Sequence, residues 1–278
     1  MWLTDMLERW GSRPDAAARL GPKGWECWSQ RSQQPLKTSD APVGTAEELS
    51  NCIAQLTQHV QQAGGMRSVA LVFESALAPA MLVDTGLSLL SEPMVHAHAR
   101  NRLLSLYGGN GPELSNWSVR VDWKAGERYG LVYGLDERIL AQTRAALAER
   151  GARLSAAVPS FAWGLARLRP WTSWPGGSGW WIWQEQDRQL VARLAAGRVI
   201  ALHPALPLVG DSESIHAQLR VESRRWGIQE DSAPIAVGAW SATHLSRIRD
   251  AADIQLLTVF QTGRTPVSQE QVGEPLPE

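Results

Sequence analysis

The stretch that decides the fold is GWWIWQEQDRQLVARLAAGRVIAL, residues 179–202. It holds three apolar runs of strand length, at residues 180–183, 190–194 and 199–202, and turn residues separate them at Gln186-Asp187 and Ala196-Gly197. This pattern predicts three consecutive antiparallel strands. In a doubly wound α/β fold, strands and helices would alternate one to one, so the meander argues against that alternative.

The elements around this meander predict a repeated order. After it we expect a helix from Ser212 to Gly227, a strand at 235–240, a short helix capped by Thr243 and a strand at 254–260. The first half gives a similar series: strands at 69–73, 80–83 and 87–90, a helix at 93–107, strands at 117–122 and 129–133, a helix between Asp136 and Gly151, and a strand at 154–158. The sequence therefore predicts two similar lobes, across 68–159 and 179–260.

Four regions follow from this series. Residues 1–65 are predicted to be an N-terminal extension with two short helices, joined by a polar, proline-containing linker over 21–42. Residues 66–170 form lobe I, 171–262 form lobe II, and 263–278 are a tail. The glycine-rich segment Pro175–Gly179 is predicted to connect the lobes, since a strand follows it instead of a helix N-terminus that could bind phosphate.

Strands, helix, strand, helix, strand is the layout of an RNase H-like lobe, and two such lobes in tandem resemble the actin-like α/β fold. Within that group the chain resembles the bacterial pilus and secretion-platform branch, the PilM-like proteins and the cytoplasmic part of GspL-like proteins. The stretches that carry the resemblance are 71–75, 92–108 ending at Trp117, 140–151, 154–159 and 180–185. The resemblance implies a cytoplasmic scaffold for type IV pilus or type II secretion assembly, with an inner-membrane protein's tail or an assembly ATPase as partner.

Nucleotide-binding members of this fold need glycines in the first hairpin of each lobe, because backbone N–H groups must approach phosphate closely. The predicted first hairpins, 73–79 and 183–188, contain no glycine. We therefore expect no catalytic residues, no bound metal and no ATP–Mg cofactor. The residues that could still approach a nucleotide are Glu74, Ser75, Glu185, Asp187 and Gly238.

The N-terminal segment carries the candidate partner-binding residues. Trp2, Leu3, Met6, Leu7 and Trp10 fall on one stripe of a short helix. An isolated helix of about ten residues is marginal in water, so this stripe needs a surface to cover it, either the protein's own body or a partner protein.

Tryptophan is unusually frequent, with 14 residues against three Phe and three Tyr. Five of the tryptophans cluster around the interlobe connection: Trp171, Trp174, Trp180, Trp181 and Trp183. They are predicted to fill the core and cover the hinge, and the alternative is a platform for a glycan or a peptide.

Composition narrows the class of partner. A formal charge of -1 gives no overall attraction to nucleic acid or anionic lipid. The two cysteines, Cys27 and Cys52, form neither a disulfide framework nor a metal cluster. No signal peptide and no apolar run of membrane-spanning length is visible, so the expected location is the cytoplasm, peripheral to the inner membrane through a partner.

Three hypotheses remain at this point. The first is a non-catalytic adaptor that docks protein tails in a pilus or secretion platform, as a pseudo-ATPase. The second is a nucleotide-binding actin-like ATPase or an enzyme resembling sugar kinases, which rests on fold alone. The third is a glycan-binding module, which rests on the tryptophan cluster.

Overall fold

The computed structural model describes residues 14–29, 35–39, 46–62, 67–86, 91–107, 116–123, 127–228, 233–241, 245–246, 248 and 252–260. The predicted N-terminal stripe, the strand at 87–90, the cap at Thr243 and the tail lie outside these ranges. The strands are β1 Ala16–Gly21, β2 Gly24–Ser29, β3 Pro35–Ser39, β4 Ser68–Phe73, β5 Ala80–Asp84, β6 Trp117–Asp122, β7 Tyr129–Asp136, β8 Arg153–Pro159, β9 Gly179–Gln184, β10 Arg188–Ala195, β11 Arg198–Pro207, β12 Ile235–Ser241 and β13 Ile254–Phe260. The helices are α1 Ala46–Gln62, α2 Glu92–Tyr107, α3 Glu137–Ala148, α4 Ser160–Leu168 and α5 Ser212–Trp226.

Two five-stranded sheets with the same topology form the two lobes. Their strand orders are β3-β2-β1-β4-β8 and β11-β10-β9-β12-β13. In each sheet an antiparallel meander is followed by two strands that run parallel to its first strand. The two-lobe prediction is therefore confirmed for the fold, and each sheet needs crossover connections for its parallel strands.

The predicted linker over 21–42 is wrong, because β2 and β3 occupy most of it. Together with β1 they supply the meander of lobe I, so the repeat in the first half begins near residue 16 instead of 68. β1 has the sequence AAARLG and is buried at every position, so it shows neither strand-like alternation nor β-branched residues. Four prolines, at positions 14, 22, 35 and 42, also made this region resemble an irregular arm.

The strand at residues 80–84 belongs to an insertion and not to the main meander of lobe I. β5, β7 and β6 form a separate three-stranded antiparallel sheet, with α2 packed against it. This insertion leaves the lobe I sheet after β4, and the chain returns through α3 to β8. Asp136 caps α3 as predicted, since its side chain accepts a hydrogen bond from the Arg138 amide.

The lobes meet through an apolar layer that includes α4. The sequence does not predict this helix. It is only nine residues long and buried at nearly every position, so it lacks the alternation of apolar and polar faces that marks a surface helix. Trp163 packs with residues of lobe I and with Trp240 of lobe II in one buried cluster. Residues 170–177 then form two 3-10 turns, so the glycine-rich connection is an ordered segment that leads into β9.

The predicted core role of the tryptophan cluster is confirmed. Trp180, Trp181 and Trp183 in β9 and Trp174 before it are at most 7% exposed, and Trp171 is half-buried against the β10–β11 turn. A glycan platform requires accessible ring faces, and four of these five rings have none. The buried rings therefore provide no tryptophan platform for the glycan-binding hypothesis.

Candidate functional site: the base of the interlobe cleft

Two glutamates meet where the inner strands of the two sheets end. Glu74 follows β4 of lobe I, and Glu185 follows β9 of lobe II. Glu74 is 1% exposed and Glu185 is 4% exposed, so neither is a solvated turn residue. Burial of a carboxylate is costly unless its oxygens accept hydrogen bonds or meet a cation, and the surrounding donors therefore determine what this pair can do.

Glu185 crosses from lobe II to lobe I. The Ser75 amide donates to its Oε1 at 2.8 Å and to its Oε2 at 3.0 Å, and the Ser75 hydroxyl also donates to Oε2. The hydroxyl of Ser160, the first residue of α4, donates to Oε1. Ser160 in turn accepts a hydrogen bond of 3.0 Å from the Trp183 indole, so both oxygens of Glu185 are held by a fixed set of donors.

Glu74 makes the reciprocal contact. Its Oε1 accepts from the Gln186 amide of lobe II at 3.3 Å and from the guanidinium of Arg19 in β1. Arg19 is 1% exposed, and its Nη2 lies 3.1 Å from Oε1 of Glu26 in β2. A permanent cation is thus built into the base of the cleft, between two carboxyl groups of lobe I.

The environment raises the pKa of both glutamates. Burial raises the pKa of Glu74 to about 8; the charge and hydrogen bond of Arg19 act in the opposite direction, and the charge of Glu185 adds to the increase. Burial also raises the pKa of Glu185, while hydrogen bonds from Ser160 and Ser75 partly offset it. Two carboxyl groups that face one another in a region of low dielectric do not both ionise readily.

The first hairpin of lobe I does contain glycines, contrary to the sequence prediction. It is β1–β2, with the turn Gly21-Pro-Lys-Gly24, and not the segment 73–79. A Cβ at Gly21 would lie 2.4 Å from Oε2 of Glu74 and 2.8 Å from the side-chain oxygen of Gln186. Gly21 therefore allows the close approach of the two lobes, and the Lys23 amide adds a hydrogen bond of 3.2 Å to the same Gln186 oxygen.

Asp187 and Gly238 lie away from the two buried carboxyl groups. Asp187 pairs with Arg188 through two hydrogen bonds of 3.0 and 3.2 Å, and these bonds lower its pKa. Gly238 lies inside β12, which matches the predicted strand at 235–240 and runs to Ser241. A Cβ at Gly238 would lie 2.0 Å from the Trp181 ring, so packing accounts for this glycine.

The carboxyl groups at the base of the cleft are engaged by protein donors. They accept hydrogen bonds from Ser75, Ser160 and the Gln186 amide, and Oε2 of Glu74 lies against Gly21. Across the described ranges, no three metal-binding side chains come together. Of the predicted nucleotide residues, Glu74, Ser75 and Glu185 are brought together, and Ser75 donates to Glu185.

Arg19 and Ser160 were missed by sequence reasoning. The signal for Arg19 is a single charged residue in the otherwise uncharged stretch AAARLG, which requires an acidic partner if the strand is buried. Ser160 carries no comparable signal, because its role depends on the start of α4 lying beside β9. The predicted partner-binding residues Trp2, Leu3, Met6, Leu7 and Trp10 lie outside the described residues.

A second concave site lies between lobe I and the insertion. It is a groove of about 460 Å³ lined by β6, β7, the N-terminal halves of α2 and α3, and residues 154–158 of β8. β8 is the edge strand of the lobe I sheet and pairs only with β4 in the described part of the chain. The lining combines apolar and polar side chains in similar measure, and it carries charged groups of both signs: Glu92, Arg120, Asp122 and Arg144.

No protein-family model and no curated protein matches the chain. Solved structures do match. In a structure described as the PilM-PilN type IV pilus biogenesis complex, one chain aligns with a TM-score of 0.57 and 11% identity, over 88% of each chain. The chain has an actin-like fold.

Two further solved structures align with lower TM-scores. The cytoplasmic domain of EpsL, an inner-membrane component of the type II secretion system of Vibrio cholerae, gives a TM-score of 0.43 at 16% identity over 81% of each chain. A Bacteroides thetaiotaomicron protein with an actin-like ATPase fold and unknown function gives 0.46 at 12% identity, over 87% of this chain and 89% of that chain. The predicted resemblance to PilM-like proteins is confirmed for the fold by the alignment with the PilM-PilN complex. No helix in the described part of this actin-like chain is long and apolar enough to cross a bilayer.

Proposed function

We propose that this actin-like protein is a non-catalytic adaptor that docks the cytoplasmic tail of an inner-membrane protein in a bacterial pilus or secretion platform. The observation that carries the proposal is the filled base of the interlobe cleft. Glu185 accepts hydrogen bonds from Ser75 and Ser160 there. Glu74 accepts from Arg19 and the Gln186 amide on one oxygen, and its other oxygen is buried against Gly21. If a protein of this fold binds no nucleotide, its function has to come from the binding of partner proteins to its surface.

The groove along β8 is the surface that suits a tail. An extended peptide can pair with a free strand edge through main-chain hydrogen bonds, while pockets beside the edge select its side chains. Here Val121 of β6, Tyr133 of β7 and Leu140 of α3 provide apolar contacts opposite β8. The solved PilM-PilN complex supports a protein as the ligand, since a protein of this fold forms a complex in pilus biogenesis there. On this proposal the protein is cytoplasmic and reaches the membrane through its partner.

The test is a matched pair of substitutions in β6. Val121 and Val119 are both half-buried, and both pack on the core of the insertion, but only Val121 lines the groove. Val121→Arg should therefore block the groove, whereas Val119→Arg should cause similar local strain outside it. Each full-length variant is expressed in the source bacterium, and the inner-membrane pilus and secretion proteins that co-purify are quantified by mass spectrometry.

We expect Val121→Arg to reduce recovery of one such membrane protein at least tenfold and Val119→Arg to preserve it. Purification of the wild type without any pilus or secretion component would contradict the adaptor proposal. Equal recovery by both variants would place docking elsewhere on the molecule and would contradict the groove as its site.

The nucleotide-binding alternative retains one specific feature, the turn Gly21-Pro-Lys-Gly24 at the cleft. Glycines and a lysine at a strand turn are the residue types that approach phosphate. Isothermal titration with ATP–Mg at millimolar concentration separates the two functions. We expect no heat of binding, and saturable binding would favour the ATPase or kinase alternative.

A further inference from the structure

Among the described residues, the base of the cleft holds three glutamates beside one fully buried cation, Arg19, while Arg188, which is paired with Asp187, also acts on Glu74 and Glu185. Glu74 and Glu185 are both almost fully buried, and Arg19 lies beside Glu74 only. Glu26 also draws on Arg19, through Nη2 at 3.1 Å. If all three glutamates were ionised, this region would carry excess negative charge in a low dielectric, so a proton is the simplest compensation.

The hydrogen-bond pattern indicates which carboxyl group holds the proton. Glu185 accepts hydrogen bonds on both oxygens, from Ser75 and Ser160, and such donors favour the ionised form. Glu74 accepts on Oε1 alone. Its Oε2 is buried without a hydrogen-bond partner and lies against Gly21, which is the environment of a neutral carboxyl oxygen.

We propose that Glu74 is a proton-linked latch between the two lobes, which holds them together while Oε2 carries a proton and releases them when the carboxyl group ionises. The latch acts on two contacts that cross the cleft. One is the Gln186 amide on Glu74, and the other is the Ser75 amide and hydroxyl on Glu185. Ionised Glu74 would repel Glu185, and separation of the lobes would let water reach both carboxylates.

The other charged groups around the latch come from β1, β2, β10 and the β1–β2 turn. In β1 Arg19 donates to Glu74, and in β2 Glu26 contacts Arg19. In β10 Arg188 is paired with Asp187, whose pKa that pair lowers, and the charge of Arg188 also acts on Glu74 and Glu185. Lys23 in the β1–β2 turn lies near enough to act on Asp187. Burial raises the pKa of Glu185 as well as that of Glu74, so the two carboxyl groups titrate as a pair, and the donors to Glu185 favour the proton on Glu74.

The sign of the effect follows from proton linkage. Burial raises the pKa of Glu74 from its ordinary value of 4.5 to about 8 in the closed form. Between these values the closed form binds one proton more than an open form with solvated Glu74, so closure weakens as the pH rises. One proton corresponds to a tenfold change in the opening equilibrium per pH unit, and the dependence ends above about pH 8.

Hydrogen exchange of the Ser75 and Gln186 amides in the full chain tests the latch, since both amides donate across the cleft. Rates are measured at pH 5.5, 6.5 and 7.5 and corrected for the intrinsic pH dependence of exchange. For the wild type we expect protection of both amides to fall about tenfold per pH unit, or about 100-fold over the range. The Ile182 amide in the centre of the lobe II sheet serves as the internal control and should keep its protection.

Glu74→Gln is the matched variant. Glutamine keeps an acceptor for Arg19 and Gln186 and places an uncharged group at Oε2, so it imitates the protonated form at every pH. We expect its protection at Ser75 and Gln186 to be independent of pH. The same slope in Glu74→Gln as in the wild type, or no slope in the wild type, overturns the proposal.

A second variant examines the contact itself. Glu185→Gln replaces one accepting oxygen with an amide group that faces serine donors, and it should lower protection of the Ser75 amide at all three pH values. Unchanged protection of Ser75 in this variant would show that the cross-lobe contact does not hold the lobes, which also overturns the latch. Neither outcome bears on tail docking at the groove, which is tested separately by the β6 variants.

Discussion

Gly238 of β12 lies directly against the indole ring of Trp181 in the neighbouring strand β9. A Cβ at position 238 would lie 2.0 Å from that ring, far inside van der Waals contact. Trp181 is fully buried in the core of lobe II, and the ring has no free space into which to move. The absence of a side chain in one strand thus makes room for the largest side chain in the next.

Gly238→Ala is therefore expected to destabilise the protein by about 1–3 kcal/mol, the usual range for overpacking a core. The measurement is the free energy of unfolding from denaturant titration. Trp181→Leu gives the matched background, because a smaller side chain leaves room for the new methyl group. In that background the added cost of Gly238→Ala should fall below about 0.5 kcal/mol, and equal costs in both backgrounds would contradict this account.

Removal of the buried cation gives a second prediction. Arg19→Met keeps the approximate length of the side chain but leaves Glu74 and Glu26 without their guanidinium. Loss of a charged donor from a buried acceptor costs about 1–3 kcal/mol, so we expect a loss of stability of that order in thermal or denaturant unfolding. The double variant Arg19→Met with Glu74→Met should recover much of it, because no buried carboxyl group then remains at position 74 without its donor. Failure of the second substitution to recover any stability would argue against the pair.

Lobe II contains a buried carboxylate of its own. Glu222 in α5 is 1% exposed; Arg225 Nη1 lies 3.1 and 3.2 Å from its two oxygens, and His203 Nδ1 lies 3.1 Å from Oε1. We expect Arg225→Ala to lower the free energy of unfolding by about 1–3 kcal/mol, as for a buried acceptor that loses a charged donor. Arg224→Ala is the control, because Arg224 is the adjacent arginine of the same helix and is exposed. Similar losses for both variants would point to helix propensity or the helix dipole as the cause.

The two thiols should be inert in the folded protein. Burial raises the pKa of Cys27 and of Cys52 to about 12, and a hydrogen bond from the Trp28 backbone offsets this slightly for Cys27. The thiolate is the reactive form, so labelling by maleimide or by a disulfide reagent at pH 8 should be negligible without denaturant and complete in it. Mass spectrometry gives the number of labels directly. Rapid labelling of the native protein at either cysteine would show that its part of the lobe I core opens.

Lobe II could be predicted almost completely from the sequence, and lobe I only in part. Strands β9–β11 are apolar runs with clear turn residues, so their pattern is visible without tertiary information. β1 consists of alanine, arginine, leucine and glycine, and it becomes a strand because β2 and β4 hydrogen-bond to it on both sides. Tertiary context overrides local propensity there, which is why the sequence pattern predicts the meander of lobe I to begin at β4 instead of β1.

The sequence predicts which residues form the candidate site, but it does not predict their hydrogen-bond partners. Glu74, Ser75 and Glu185 were selected as residues that could face a nucleotide, and they do meet at one place. Their pairing could not be predicted, because Ser75 and Glu185 are 110 positions apart in the sequence and Arg19 and Glu74 are 55 positions apart. Contacts between residues so far apart in sequence depend on how the chain packs in three dimensions, and no local sequence pattern predicts them.

The insertion between β4 and α3 has a consequence for the order of folding. The lobe I sheet lacks its fifth strand until β8 has been made, and β8 follows β4 by some 80 residues that belong largely to the insertion. Contacts between distant parts of a chain are slow to form because a long loop must close first. During synthesis the edge of β4 would therefore stay open until the insertion has emerged from the ribosome, and the contacts of Glu185 would come after that. A nascent chain would thus expose an unpaired strand edge, which is a site where aggregation can begin.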